Sequence, residues 1–303
     1  MATITALIHT KNSASTLAKC LTSVAFVDQV IVVDMESSDQ TLNIAKQHDS
    51  IIFKHPDVGY VEPARNFGLK KVKTDWTLIL DSDEEVPSTL AQHLKKLMAE
   101  ESSADAYYLP RRNIVFNKWI QHTGWWPDFQ LRFFKTGKVE WPAQIHAQPV
   151  IHGQAEKLPL EEELALTHHN YQTVEQFIER LNRYTTIEVD RGQSTADSFG
   201  KHTAQALPAA FSQEFARRFF AEDGFRDGKH GLALAYLQSM YQVIVELKKW
   251  QAAGFPDSSS SNTLVKEVDA SLKELHYWVA GYAIQRSTGM QKLWWMIRRK
   301  LRW

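Results

Sequence analysis

Four short apolar runs rich in β-branched residues, separated by segments of helical periodicity, constrain this chain more than any other feature. Residues 3–8, 30–34, 51–53 and 76–80 read as strands. Residues 14–23, 41–47 and 63–71 read as the helices between them, the last with proline in its first turn. Strands this short and this uniformly apolar suit a parallel sheet covered on both faces. The alternation predicts an α/β fold with an open, mostly parallel, Rossmann-like sheet.

The pattern then changes. Residues 111–151 are rich in Trp, Phe and Pro, with short strands such as 130–134. After Tyr171 the periodicity is helical over 174–191, 208–221, 229–251 and 263–286. The polar stretch 192–205 has no period and predicts a mobile loop. Gly254-Phe255-Pro256-Asp257 and the four serines that follow predict a connector between helices. No internal repeat is visible. The expected organisation is an α/β domain over 1–170 and a helical extension over 171–303.

Composition excludes several classes. Lys+Arg and Asp+Glu are both 35, so no global field recruits nucleic acid. The single Cys20 forms no internal disulfide and belongs to no zinc cluster. The first residues lack the basic flank of a signal peptide, and no run of about 18 apolar residues spans a bilayer. These features predict a cytoplasmic protein, soluble or peripheral on a membrane.

In open parallel sheets ligands bind at the carboxyl ends of the strands. His9-Thr10-Lys11-Asn12 follows the first strand, Asp34 to Thr41 the second, and Asp81-Ser82-Asp83-Glu84-Glu85 the fourth. Side chains at i and i+2 of an extended segment point the same way, so Asp81 and Asp83 can converge on a hard cation such as Mg²⁺ or Mn²⁺. The competing reading is an acidic turn before the helix entered at Pro87. Asp34 is placed to accept hydrogen bonds from a base or ribose, whereas Ser38 or Asp39 can also cap the next helix. Arg65, at a helix start, can face a phosphate or pair with Glu62.

Taken in order, residues 34–41, Ala64-Arg65-Asn66-Phe67-Gly68 and Leu80-Asp81-Ser82-Asp83-Glu84 resemble the signature of glycosyltransferase family 2. Residues 128–134, His146, His169-Asn170-Tyr171, Asn182-Arg183-Tyr184 and Phe225-Arg226-Asp227-Gly228 with Gly231 resemble its lipopolysaccharide-core branch. The resemblance covers about the first 250 residues. It implies the GT-A fold and an inverting transfer of a hexose from a nucleotide-diphospho-sugar, a UDP-sugar. The acceptor it implies is a glycan or a lipid-linked sugar of bacterial cell-surface polysaccharide.

By the same resemblance Thr10, Asp34, Asp39, Arg65, Asp81 and Ser82 bind the donor. Asp83, with His146 or His169, holds the metal, and Asp128 is the base that deprotonates the acceptor. Asp128 can equally be a structural carboxylate paired with Arg132. Family members often carry His-Glu where this chain has His146-Ala147, which removes a carboxylate and leaves the base open. Trp125, Trp126 and Arg132, with Trp119 and Trp141 nearby, read as an acceptor platform or as core of a small subdomain.

The tail carries a separate signal. No acidic residue follows Glu274, while Arg286, Lys292, Arg298, Arg299, Lys300 and Arg302 are basic. Met290, Leu293, Trp294, Ile297 and Leu301 share one helical face. Residues 290–303 thus suit an anionic membrane surface, or pack on the protein body or a second subunit. Two other classes fit parts of the pattern. A nucleotidyltransferase would carry a Gly-rich basic loop after the first strand, and His9 to Ser13 has no glycine. A non-catalytic binding protein or scaffold derived from a transferase would keep Asp81 and Asp83 but lack a base.

Overall fold

The computed structural model describes residues 2–100, 104–142, 148–192, 203–256 and 260–301. By compactness the chain forms two units: Met1–Ile114 with Trp126–Asn170, and Val115–Trp125 with Tyr171–Trp303. The sequence reading assigns 115–125 to the α/β domain; the structure groups this excursion with the helices.

The first unit opens with β1 (Ile4–Thr10), α1 (Leu17–Ser23), β2 (Gln29–Asp34), α2 (Thr41–Gln47), β3 (Ile51–Lys54), α3 (Glu62–Leu69) and β4 (Trp76–Asp81). It continues through β5 (Glu84–Glu85), α4 (Ser88–Ala99) and β6, which spans Ala106–Val115. The order β3-β2-β1-β4 is parallel throughout, as the apolar runs require. Beyond β4 lies β8 (Phe129–Lys135), antiparallel to β4 and to β6. β12 (Leu166–Tyr171) follows β6 in the order, and the sheet ends with β5, antiparallel to β12. Two short strands, β9 (Val139–Glu140) and β10 (Val150–Ile151), form a separate ribbon, and β11 (Ala155–Lys157) runs parallel to β6.

All seven residues of β1 are buried, so this strand is covered on both faces. Alternation along the strands sorts the core into two layers. Ile4, Ala6, Ile8, Leu78 and Leu80 pack with Leu17, Leu21, Leu90 and Leu94 of α1 and α4. Leu7, Ile31, Val33 and Ile79 pack on the other face with Ala64 of α3, Val72 and Trp141. This is the α/β fold expected, its sheet parallel on one side and antiparallel on the other. Because β8 runs against β4 and β6, the carboxyl ends of β1, β2, β4 and β6 and the start of β8 share one edge.

The second unit holds β7 (Lys118–Trp119), α5 (Val174–Gly192), α6 (Thr203–Ala216), α7 (Lys229–Ala252), α8 (Ser261–Arg286) and α9 (Gly289–Leu301). Of the expected loop 192–205, residues 193–202 lie outside the described residues, and Thr203 onward is already helix. α6 runs on through a π-helical turn, Arg217–Ala221. Val115 and Ile120 pack with Phe177, Leu181 and Leu234, joined by Phe116, Trp125 and Tyr171. Asp227, of the Phe-Arg-Asp-Gly run, is buried and accepts the backbone N–H of His122 at 2.9 Å, which fixes the excursion to the start of α7. Ser260 caps α8, accepting from the N–H of Thr263 at 3.3 Å.

Candidate functional site

The shared edge of the sheet concentrates charge. Arg65, at the first turn of α3, donates to Asp81 Oδ1 at 3.2 Å, and Arg132 donates to Asp81 Oδ2. Arg132 also donates to Glu84 at 2.8 Å, Arg111 donates to the same Glu84 oxygen at 3.1 Å, and its Nε donates to Asp128 at 2.8 Å. Cations and anions therefore alternate from Arg65 to Asp128. Glu84 is fully buried and Arg132 nearly so. Such charges persist in a core only when paired and hydrogen-bonded.

Burial by itself would raise the Asp81 carboxyl, but Arg132, Arg65 and Arg111 hold it far below the usual carboxylate range. Burial works against the charge on Arg132, and Asp81 and Glu84 more than restore it. Asp128 follows the same logic. Burial raises it, and Arg111, Asn113 and Gln130 outweigh burial and hold it below the ordinary range.

A second cluster lies at the ends of β1 and β2. Thr10 and Asp34 are register partners, and both are buried. Asp34 Oδ2 accepts the N–H of Ser37 at 3.2 Å, whereas Asp34 Oδ1 and Thr10 Oγ1 meet no hydrogen-bond partner among the described residues. Buried polar atoms left this way are open to the donors and acceptors of a ligand or of water. His9 adds a third. Its Nε2–H donates to the carbonyl of Ala64 at 3.2 Å, and its buried Nδ1 is unmatched. Burial first, then Arg65, pushes the His9 ring down to about 3, so it stands neutral and Nδ1 offers a lone pair.

The loops around this pocket are tied together. Asn12 Oδ1 accepts from the N–H of Ser38 at 2.8 Å, and Ser82 Oγ donates to Ser13 Oγ at 2.7 Å. Asp39 spends its oxygens on the backbone N–H groups of Thr41, at 2.9 Å, and Ala14, at 3.1 Å. It ties the loop walls together and accepts from the first N–H of α2, so both its oxygens are engaged.

The expected metal and acceptor residues divide differently. Asp81 has both oxygens committed to guanidinium groups, so a cation there would have to displace one. His169 Nε2 lies 2.6 Å from Glu85 Oε1, and it is its neighbour His168 whose Nε2 approaches Asp83 Oδ1, at 3.5 Å. Two ligands each about 2.1 Å from one cation stand roughly 3 Å apart or slightly more, so Asp83 and His168 fit Mg²⁺ or Mn²⁺. Among the described residues no group of three such side chains gathers. His146 lies outside the described residues.

Arg132, expected on the acceptor side, is instead buried between Asp81 and Glu84. Trp126 belongs to the first unit and Trp125 to the second, where it packs edge-on against Tyr171 at 6.2 Å. Trp141 is core: Asn66 bonds both its backbone groups, and the Arg65 guanidinium lies 5.3 Å over its ring. The sequence reading places Glu84 in the acidic run without a role of its own, and it does not single out Arg111, Asn113 or His168. Period-two spacing puts Arg111 and Asn113 on one face of β6, and that spacing is the signal that could have found them.

Residues 5–151 match the family model described as glycosyl transferase family 2. An uncharacterized glycosyltransferase of Rickettsia felis is 39% identical over 100 residues, 33% of this chain and 35% of that protein. The match thus spans about a third of that relative's length. The lipopolysaccharide core biosynthesis glycosyltransferase LpsC of Rhizobium meliloti is 21% identical over 255 residues, 82% of this chain and 92% of that one. Among solved structures, S. aureus TarS 1-349 superposes with a TM-score of 0.43 at 14% identity, over 83% of this chain and 92% of that chain. The N-terminal α/β segment, residues 5–151, belongs to glycosyl transferase family 2.

Proposed function

We propose that this protein is a glycosyltransferase that moves a hexose from a UDP-sugar to a glycan or lipid-linked acceptor in bacterial lipopolysaccharide or related surface-polysaccharide synthesis. The observation that carries the reading is the buried, unmatched pair Thr10 Oγ1 and Asp34 Oδ1 beside the Arg65–Asp81 pair. Asp34 Oδ1 can only accept, and the N–H edge of a nucleobase or a ribose hydroxyl supplies what it lacks. Arg65, its guanidinium 5.3 Å over the Trp141 ring, is a fork of the shape that recognises phosphate oxygens. The family match and the relative named for lipopolysaccharide core synthesis support the same reading.

In an inverting transfer the acceptor oxygen attacks the anomeric carbon, its proton passes to a base, and the bond to the diphosphate breaks. A divalent cation at Asp83 and His168, when bound, supplies positive charge against the departing diphosphate. Arg65 orients that group, and Asp34 with Thr10 fixes the nucleoside end. Asp128, with both oxygens in hydrogen bonds and its pKa held down, is a weak base for a sugar hydroxyl.

A thermal-shift panel of nucleotides, with and without Mn²⁺, tests the donor site. At about 100 times its Kd a ligand adds roughly 2.7 kcal/mol of stability. We expect uridine diphosphate to stabilise the wild type. Asp34→Ala should lose the whole effect, and Asp83→Ala only its Mn²⁺-dependent part. Absence of stabilisation by every nucleotide would sink the reading in favour of a scaffold.

The acceptor side of the reading includes the membrane surface. α9 leaves Met290, Leu293, Trp294, Ile297 and Leu301 between 49% and 88% exposed, with Lys292 and Lys300 exposed beside them. Arg299, on another side of α9, donates to Tyr277 of α8 at 2.6 Å, so packing on α8 and an open apolar stripe coexist. None of the described helices is long and apolar enough to cross a membrane. An amphipathic basic helix of this kind lies in the interface of an anionic bilayer.

A further inference from the structure

Hydrogen-bond direction along β6 and β12 fixes which nitrogen of His168 carries the proton. Asp128 is ionised, so its oxygens only accept. The Asn113 atom 3.0 Å from Asp128 Oδ2 is therefore the amide nitrogen, which turns Asn113 Oδ1 toward His168. That oxygen has no proton to give. Nδ1 of His168, 2.6 Å away, is thus the N–H, and it donates to Asn113. With Nδ1 committed to Asn113, Nε2 is the ring atom that faces Asp83 Oδ1, at 3.5 Å.

An imidazole lone pair and a carboxylate oxygen converging on one point form the donor arrangement that a divalent cation takes. Imidazoles that bind metals generally donate their second nitrogen to an oxygen, and losing that partner typically costs about 10- to 100-fold in metal affinity. Here the partner is an amide with two possible orientations, and a further carboxylate selects one of them. Gln130 donates to the other oxygen of that carboxylate, Oδ1, at 2.7 Å, and Arg111 Nε donates to Oδ2, the one Asn113 uses, at 2.8 Å.

We propose that Asp128 and Asn113 are positioning residues that lock the His168 tautomer and so ready Asp83 and His168 for a divalent cation. The relay runs Arg111, Asp128, Asn113, His168, Asp83. It deepens the donor-site reading above and rests on it. It also gives Asp128 a role distinct from that of a base: Asp128 acts through Asn113 and His168.

Two measurements on the full-length protein test it. The first is the ¹⁵N–¹H correlation of the His168 ring, assigned by its loss in His168→Gln, at a pH where the ring is neutral. The second is Mn²⁺ titration with and without uridine diphosphate, followed by electron paramagnetic resonance of the free ion. We expect the Nδ1–H form in the wild type. Asn113→Ala should shift the ring toward Nε2–H and weaken Mn²⁺ binding by about 10- to 100-fold. Asp128→Asn lets the Asn113 amide turn over, and it should move both readouts the same way.

If Asp128→Asn lowers turnover but leaves tautomer and Mn²⁺ affinity unchanged, Asp128 is a base and the relay is wrong. A wild-type ring in the Nε2–H form overturns it as well. Wild type that takes no Mn²⁺ yet is stabilised by uridine diphosphate removes the cation and the relay together while the nucleotide pocket stands. Should Asn113→Ala fail to fold by its melting curve, Asp128→Asn decides the question alone.

Discussion

His9 sits at the carboxyl end of the most buried strand, one residue before Thr10, and its ring is neutral because water cannot reach it. The folded ring titrates near 3 and an unfolded one near 6.5. Between those values only the unfolded chain takes the proton. This part of the stability is complete above about pH 6.5 and falls as pH drops, by about 1.4 kcal/mol per pH unit at most, until the folded ring itself titrates. His9→Gln keeps an N–H for the Ala64 carbonyl and removes the titration. Denaturant unfolding at a series of pH values should show a flatter decline for His9→Gln than for wild type between pH 6.5 and 4; equal slopes would mean the buried ring is not the cause. At this scale the sequence is legible where a polar residue ends an apolar strand, as Asp34 and Asp81 do. It is not legible for His168 and His169. Two adjacent histidines on a strand look alike, and only the register of β12 against β5 sends one to Asp83 and the other to Glu85.

Elements were readable in proportion to how much of their burial is local. The four parallel strands carry their own apolar runs, and the observed spans differ from the expected ones by a residue or two at their ends. β6 and β12 escaped because each mixes apolar residues with charged or polar ones facing the site, Arg111 and Asn113 on β6 and His168 on β12. α9 was readable because its stripe recurs at helical spacing. The structure adds that this stripe stays exposed while Arg299 engages α8. Its basic flank would repel a second copy of itself, which favours an anionic lipid surface as the partner. Flotation should recover the full-length protein with vesicles of equal parts phosphatidylglycerol and phosphatidylcholine, and about tenfold less with phosphatidylcholine alone. Leu293→Glu with Ile297→Glu should abolish recovery without lowering Tm, since both positions are exposed. Recovery unchanged by the double substitution would remove α9 from the membrane reading.

Across the whole molecule, the chain crosses from one unit to the other after residue 114, returns after 125 and leaves again after 170. The last of these crossings was visible as a change of periodicity; the first two were not, because eleven residues are too few to show one. Val115, Phe116, Ile120 and Trp125 depend on partners such as Phe177, Leu181 and Leu234 for their burial. A fragment of residues 1–170 is therefore expected to expose them, to bind a hydrophobic dye and to sediment as aggregates, whereas the intact chain does neither. A dye-silent, monomeric fragment would show that the excursion finds cover of its own.

That interleaving bears on how such proteins diversify. A recombination event at a single junction cannot exchange the helical unit intact, because part of its apolar interior is encoded upstream, inside the reading frame of the sheet. A successful chimera must transplant 115–125 together with everything after 170, so the two pieces are constrained to be inherited as a matched pair.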